Sequence, residues 1–212
     1  MLSSLLLAST FVKHGAVVLV GDAIAPSAVF DSFAEQIGGR HAPVLVFEQA
    51  EAKPDAMDRQ LADKGFDHVT VVSDTTFSSD RRAEVAKMLS EARGVWVPDG
   101  DANLFLKRLG PEWCRRVFPA FIERGGVWCG LRAGAALAGD FRLDGENGVG
   151  VLDGIVDYDH FVGHHELRLR KTYFTTKVQL GIGLDPGEWV VVRDSVIEKK
   201  IGQPWVFLRE AG

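Results

Sequence analysis

The segment that decides the fold reads Gly125-Gly126-Val127-Trp128-Cys129-Gly130-Leu131-Arg132-Ala133-Gly134-Ala135-Ala136-Leu137. A short apolar run, a glycine-flanked turn and an alanine-rich stretch follow one another, which predicts a buried strand, a sharp turn and a helix. Glycines lie two residues before and two residues after Arg132. That is the spacing of a nucleophile elbow, in which the central residue is strained and the flanking positions have no room for side chains.

The centre of this elbow is occupied by an arginine, although a nucleophile such as serine or cysteine would normally be presented there. The guanidinium of Arg132 stays protonated and cannot act as a nucleophile. It also faces the positive end of the helix dipole, which is unfavourable by roughly 0.3–1 kcal/mol. We expect a carboxylate or an anionic ligand to offset this, and the facing loops offer Asp22, Asp101 and Glu146. Alternatively, the glycines merely allow close strand–helix packing and Arg132 is a solvated surface residue.

Outward from the elbow, short apolar runs alternate with segments of helical period. Buried strands are predicted over 16–20, 44–47, 68–72, 95–97 and 127–129. Helices are predicted over 26–37, 55–64, 80–93, 103–109 and 112–124. Such alternation predicts an α/β fold, with a doubly wound, mostly parallel sheet of flavodoxin-like type flanked by helices.

The pattern changes after about residue 150, where tight turns separate apolar runs. We expect the runs at 183–193, 195–201 and 204–208 to form a C-terminal antiparallel extension of the same sheet. Ligands in such folds bind beyond the carboxyl ends of the strands. The loops expected to form a site are therefore 21–25, 99–103 and 130–135.

Length and composition predict one domain over residues 1–212, with an apolar N-terminal segment at 1–13. The net charge of -5 and the absence of a basic block argue against a nucleic-acid partner. The apolar run is shorter than the ~20 residues of a membrane helix, so no membrane partner is expected. It also lacks a preceding positive region, which makes a cytoplasmic location the expectation and secretion the alternative.

No metal or cofactor is expected from the sequence. Cys114 and Cys129 stand in apolar stretches without metal-ligand spacing and are interpreted as buried thiols. His164 and His165 are adjacent, so their side chains point apart and do not suggest a metal site. The glycine at position 21 lacks the spacing of a dinucleotide-binding loop.

Three further segments accompany the elbow. They are Asp99-Gly100-Asp101-Ala102-Asn103-Leu104, Asp159-His160-Phe161 and Gly181-Ile182-Gly183-Leu184-Asp185. Together with 130–135, they resemble the cyanophycinase and dipeptidase E family of serine peptidases. That family carries G-G-D/N-Q after one strand, G-T-S-A-G-A at the elbow, D-x-H-F later and G-I-G-x-D near the end. The order and spacing match over most of the chain, which implies a class I glutamine amidotransferase-like fold.

The resemblance also implies roles for individual residues. The nucleophilic serine of the family falls on Arg132 and its catalytic histidine on His160, while the aspartate of D-x-H-F falls on Tyr158. The third, acidic member of the triad has its nearest counterpart in Glu146 or Asp144, and both stay open.

Other family positions have diverged as well. The oxyanion hole resembles the backbone N–H groups of Gly100 and Ala133. The first glycine of G-G-D-Q falls on Asp99 and its glutamine on Ala102. An arginine-rich stretch of cyanophycinases corresponds to 164–170, where its leading arginines are replaced by His164 and Glu166.

These residues favour a pseudoenzyme, that is, a hydrolase scaffold used for binding or regulation, with a small anionic or peptide ligand that Arg132 could clamp. An alternative is an active hydrolase of aspartyl peptide bonds. It would use a displaced nucleophile such as Cys129, or water activated by His160. A further alternative is an interaction module with a vestigial pocket, in which Trp189 and Trp205 face a partner and the chain forms a homodimer.

Overall fold

A computed structural model describes residues 15–48, 57–73 and 76–209. The predicted apolar segment 1–13 lies outside the described residues, as does the start of the helix predicted over 55–64. Within the described part of the chain, no helix has the length and hydropathy that crossing a membrane requires.

The order of elements follows the predicted alternation. The strands are β1 (Val17–Val20), β2 (Val44–Phe47), β3 (Val69–Val72), β4 (Gly94–Val97), β5 (Val127–Leu131), β6 (Gly139–Phe141), β7 (Leu152–Tyr158), β8 (Leu180–Leu184), β9 (Trp189–Arg193), β10 (Val196–Ile201) and β11 (Trp205–Leu208). The helices are α1 (Ser27–Ile37), α2 (Met57–Asp63), α3 (Ser79–Glu91), α4 (Ala102–Leu109), α5 (Pro111–Glu123), α6 (Ala133–Leu137) and α7 (Glu166–Thr176).

The central sheet has seven strands in the order β10-β9-β1-β5-β4-β2-β3. Its first five strands in sequence, β1 to β5, pair in parallel, and β9 and β10 add antiparallel at one edge. The five inner strands are buried because helices cover both faces of the sheet, whereas the edge strands β3 and β10 are partly exposed. The predicted α/β class with a mostly parallel, helix-flanked sheet is therefore confirmed.

The two faces of the sheet have separate apolar cores. On one face Phe118 packs edge-on against Trp128, and on the other Phe30 and Phe33 pack against Trp96. Trp189 is also buried in the second core, at 2% exposure. The alternative in which Trp189 faces a partner is therefore not supported, because the chain itself covers both faces of β9.

A second, four-stranded sheet has the order β11-β8-β7-β6 and was not predicted. β9 and β10 join the central sheet as expected, whereas β11 pairs antiparallel with β8 in the second sheet. The expectation of one continuous extension is therefore wrong for β11. There Trp205 stacks on Phe161 and Phe207 stacks on Tyr173, so β11 buries apolar surface against α7 and its preceding loop.

Candidate functional site

The elbow has the strained geometry that its sequence predicts. Arg132 follows β5 with φ 44° and ψ -105°, a conformation that L-residues rarely adopt. A Cβ atom on Gly130 would lie 2.3 Å from the carbonyl oxygen of Gly134, and one on Gly134 would lie 2.1 Å from the carbonyl oxygen of Val97. Both glycines are therefore required sterically.

The Arg132 side chain is held by two carboxylates and an aromatic ring. Its Nη2 donates a short hydrogen bond to Oδ2 of Asp159, and its Nε lies 3.3 Å from Oδ2 of Asp99, close enough for an ion pair but not aligned for a hydrogen bond. The guanidinium carbon lies 5.1 Å from the ring centre of Tyr158, a cation–π contact. A carboxylate was expected here, and the structure supplies two.

The three acidic residues that the sequence suggested as partners of Arg132 lie elsewhere in the structure. Asp22 accepts a hydrogen bond from the backbone of Gly187, and Asp101 caps α4 through the N–H groups of Asn103 and Leu104. Glu146 lines a different surface depression. The choice of these three as partners of Arg132 is therefore wrong. Their loops were expected to face the elbow, but the side chains of Asp22 and Asp101 are directed by hydrogen bonds to backbone N–H groups of other residues.

The two N–H groups assigned to the oxyanion hole point at one atom of the protein itself. Oδ1 of Asp99 accepts hydrogen bonds from the backbone N–H of Gly100 at 2.9 Å and of Ala133 at 3.2 Å. The parallel pairing of β4 with β5 makes this possible, because it brings the residues after both strands to the same edge. An internal carboxylate thus engages both N–H groups that the family resemblance assigns to the oxyanion hole.

The cluster around the elbow carries more negative than positive charge. One guanidinium, that of Arg132, faces two carboxylates, those of Asp99 and Asp159. Burial, followed by the nearby Asp99 carboxylate, raises the pKa of Tyr158, which keeps its hydroxyl neutral. A ligand anion at Arg132 would therefore be repelled by the two carboxylates already there. This repulsion disfavours the prediction that Arg132 clamps an anionic ligand.

His160 lies in the interior. Its Nδ1 is 2.7 Å from Oδ2 of Asp157, and the whole residue is 0% exposed. The ring packs against Phe161 and Trp205, and its Nε2 is buried without a hydrogen-bond partner in the described ranges 15–48, 57–73 and 76–209. This imidazole is therefore sealed from any ligand in the structure as it stands.

The acid that contacts His160 is Asp157, so the assignment of Glu146 or Asp144 to that contact is wrong. Asp144 instead pairs with Arg142 through both carboxylate oxygens. The physical reason is local, because β7 ends at Tyr158 and the turn that follows brings His160 back against Asp157, three residues earlier. The three-residue spacing of Asp157 and His160 is the feature of the sequence that could have predicted this contact.

A second histidine shares the same carboxylate. Nδ1 of His165 lies 3.1 Å from Oδ1 of Asp157, and its side chain is 34% exposed. Both rings face Asp157 through Nδ1, so each can donate its Nδ1–H to the carboxylate. In each ring Nε2 is then the nitrogen that points away from Asp157. His165, rather than His160, therefore presents an imidazole to solvent, a role that sequence reasoning missed.

A cavity of about 450 Å³ opens beside the elbow, and we call it the elbow cavity. It lies between the N-terminal part of α4, α6, the turn after β6, the end of β7 and the start of α7. Its lining residues are Gly100, Asp101, Ala102, Asn103, Ala133, Ala136, Arg142, Leu143, Asp144, Val156, Asp157, Tyr158, His165 and Arg168. The loops 99–103 and 130–135 thus contribute to it as expected, whereas 21–25 does not.

Neither cysteine is placed to act as a displaced nucleophile. Cys129 lies within β5 and Cys114 within α5, and both are 0% exposed. Burial raises the pKa of the Cys129 thiol far above its usual range and that of Cys114 to about 12. Both thiols are therefore protonated and shielded, as predicted for buried structural cysteines.

Comparison with solved structures identifies similar folds. A peptidase from an acI-B1 Actinobacterium has a TM-score of 0.61 and 16% sequence identity, over 93% of this chain and 89% of that one. A candidate peptidase E protein from Listeria monocytogenes EGD-e has a TM-score of 0.59 and 13% identity, over 93% of this chain and 100% of that one. No family model and no curated protein matches the sequence. At this level of identity the likeness establishes a peptidase E-type fold.

Proposed function

We propose that this chain is a peptidase-fold protein that has lost the serine peptidase reaction and uses the scaffold to bind a small ligand in the elbow cavity. One observation carries the proposal. Oδ1 of Asp99 accepts hydrogen bonds from the N–H groups of both Gly100 and Ala133. Those donors would have to stabilise the oxyanion of an acyl-transfer reaction, and here they are already in use.

Three departures from the family pattern contact one another, which supports a coordinated change at the elbow. Arg132 stands where the family has its serine, Asp99 where it has a glycine and Tyr158 where it has the aspartate of D-x-H-F. The guanidinium of Arg132 contacts both of the other side chains. A set of replacements that stabilise one another fits a new structural role better than accidental loss of the nucleophile.

The buried histidine gives independent support. A general base must come within hydrogen-bond reach of the proton that it removes. His160 is fully buried, with Phe161 and Trp205 packed against its ring. At the described positions that match the family pattern, the nucleophile is thus replaced, the oxyanion donors are occupied and the histidine is buried. Even the residual catalysis that survives loss of a triad depends on a free oxyanion hole.

Assays with α-aspartyl and β-aspartyl peptides test the loss of activity. We expect no turnover by the wild-type protein and no labelling by a fluorophosphonate. Turnover that is abolished by His160→Ala would overturn the proposal. Because removal of this buried ring could unfold the protein, His165→Asn at the more exposed position serves as the second variant, and circular dichroism reports whether each variant is folded.

A second candidate function is hydrolysis by water, with His165 as the base. Its supporting observation is that Asp157 orients His165 at the wall of the elbow cavity. In this reaction water would give a proton to Nε2 of His165 while its oxygen bonds to the carbonyl carbon, and the same proton would pass to the leaving group as its bond breaks. Turnover lost in His165→Asn but unaffected by fluorophosphonate would favour this candidate.

A further inference from the structure

We propose that the elbow cavity binds its ligand through an oxyanion, a carboxylate or a phosphate group, held by Arg142, Arg168 and Asn103. The inference deepens the proposed function and rests on it, since it takes the cavity to be a ligand site. It moves the anion away from Arg132, whose guanidinium is already paired with Asp99 and Asp159.

Arg142 supplies a buried donor with no partner. Its side chain is 5% exposed, and it lines the elbow cavity. Nη2 donates to Asp144 and to Oδ1 of Asn103 (2.6 Å), and Nε donates to Asp144 at 3.2 Å. Nη1 is buried and has no hydrogen-bond partner among the residues that the structure describes. A guanidinium held on one edge by a carboxylate and an amide keeps its remaining N–H groups in a fixed direction, which suits a ligand oxygen.

Arg168 and Asn103 add donors to the cavity wall. Arg168 is exposed at the start of α7 and uses only its Nε, which donates to the carbonyl oxygen of Leu143 at 3.1 Å. Within the described part of the chain, its two terminal nitrogens have no hydrogen-bond or ion-pair partner. Because Oδ1 of Asn103 accepts from Arg142, the amide nitrogen of Asn103 is left as a donor.

The acceptors of the same cavity are largely engaged. Asp157 lies against two histidines through its two oxygens, and Asp144 pairs with Arg142 through both of its own. Asp101 uses Oδ1 to cap α4. Nε2 of His165 and Oδ2 of Asp101 remain as acceptors in the lining, whereas Arg142, Arg168 and Asn103 supply the unpaired donors. A ligand that satisfies those donors must bring acceptor oxygens.

The size of the cavity indicates a molecule larger than an inorganic ion. A volume of about 450 Å³ falls within the range of small-molecule pockets, roughly 300–1,000 Å³. Apolar lining from Ala133, Ala136 and Val156 offers contact for a short carbon skeleton. The ligand class that fits is a small organic acid or an organic phosphate.

Isothermal titration calorimetry of the whole chain at constant ionic strength tests this inference, with succinate and inorganic phosphate as probes and succinamide as the neutral control. We expect saturable binding of at least one anion and none of succinamide. Arg168→Gln should raise the Kd about tenfold, which is the loss of affinity expected when a charge-assisted hydrogen bond is removed. Arg170→Gln removes the same charge from α7 at an exposed position outside the cavity and should leave the Kd unchanged.

Succinate binding alone identifies a carboxylate ligand, phosphate binding alone a phosphate, and binding of both the shared oxyanion chemistry. The inference would be overturned if neither succinate nor phosphate shows saturable binding, or if Arg168→Gln and Arg170→Gln weaken binding equally. Asn103→Ala removes the amide donor while keeping both members of the Arg142–Asp144 ion pair, and it should also weaken binding. Failure here leaves the peptidase assays unaffected, so the inference and the proposed function can fail separately.

Discussion

The carboxylate of Asp99 joins the backbone of Ala133 to the guanidinium of Arg132. One oxygen accepts the Ala133 N–H at 3.2 Å, and the other lies 3.3 Å from Nε of Arg132. The same side chain thus fills the anion position of the elbow and neutralises part of the charge at its tip. This contact explains how a cation is tolerated at the start of a helix, where the dipole disfavours it.

The Arg132–Asp99 contact should show measurable coupling. In a double-mutant cycle of Arg132→Ala and Asp99→Asn, we expect a coupling free energy of about 0.5–1.5 kcal/mol, because both groups are only about two-thirds buried. Urea unfolding at low salt measures it, and added salt should reduce it. The exposed Arg40–Asp31 pair is the control, with an expected coupling below about 0.5 kcal/mol. Equal coupling in the two pairs would contradict a special role for Asp99.

Restoring the serine alone should not restore nucleophilic chemistry. We expect Arg132→Ser to remain unlabelled by a fluorophosphonate, because Asp99 still occupies the two N–H donors. Any labelling should require Arg132→Ser together with Asp99→Gly, which frees those donors. Mass spectrometry of the intact protein measures the adduct, and rapid labelling of the single variant would show that Asp99 does not block the site.

Gly134→Ala should destabilise the protein strongly. Its Cβ would lie 2.1 Å from the backbone oxygen of Val97, and backbone cannot move aside as a flexible side chain can. We expect a loss of about 3 kcal/mol or more in the free energy of unfolding, although alanine is the better helix former. Gly39→Ala is the control, with a positive φ but open space around it, and should cost about 1–2 kcal/mol. Similar losses in both variants would argue against the close strand–helix approach.

Loss of the Asp157 carboxylate should lower the free energy of unfolding more than loss of the His165 imidazole that it contacts. Its side chain is 5% exposed and contacts both His160 and His165. Asp157→Ala should cost about 3–5 kcal/mol, because it leaves buried ring nitrogens unpaired. His165→Asn, at a side chain that is 34% exposed, should cost less than about 1 kcal/mol. Chemical denaturation compares the two, and the reverse order would show that Asp157 is not the centre of this cluster.

The thiols of Cys114 and Cys129 should not react with alkylating reagents in the folded protein. Burial raises the pKa of Cys114 to about 12 and raises that of Cys129 well above its usual range, whereas an unfolded cysteine titrates at about 8.5. Since the folded pKa values are the higher ones, the contribution to stability is complete below about 8.5 and is lost as the pH rises toward 12. We expect negligible reaction with iodoacetamide at pH 8 and two modified cysteines after unfolding. Rapid native labelling would show that one thiol is accessible.

The sequence alone determined the features that depend on neighbours along the chain. The strand–helix alternation, the elbow around Arg132 and the two required glycines all follow from local periodicity and steric limits within a few residues. The burial of the cysteines likewise follows from the apolar runs that contain them. These predictions needed no knowledge of how distant segments meet.

Only the tertiary structure decided which side chains meet at the elbow. Asp99 and Asp159 reach Arg132 from the ends of two other strands, and β11 leaves the central sheet to cover the aromatic rings beside His160. Asp157 replaces the acids that linear spacing suggested. The physical reason is that the direction of a loop side chain depends on caps, turns and packing between remote segments. A motif records the order of its residues but not these contacts.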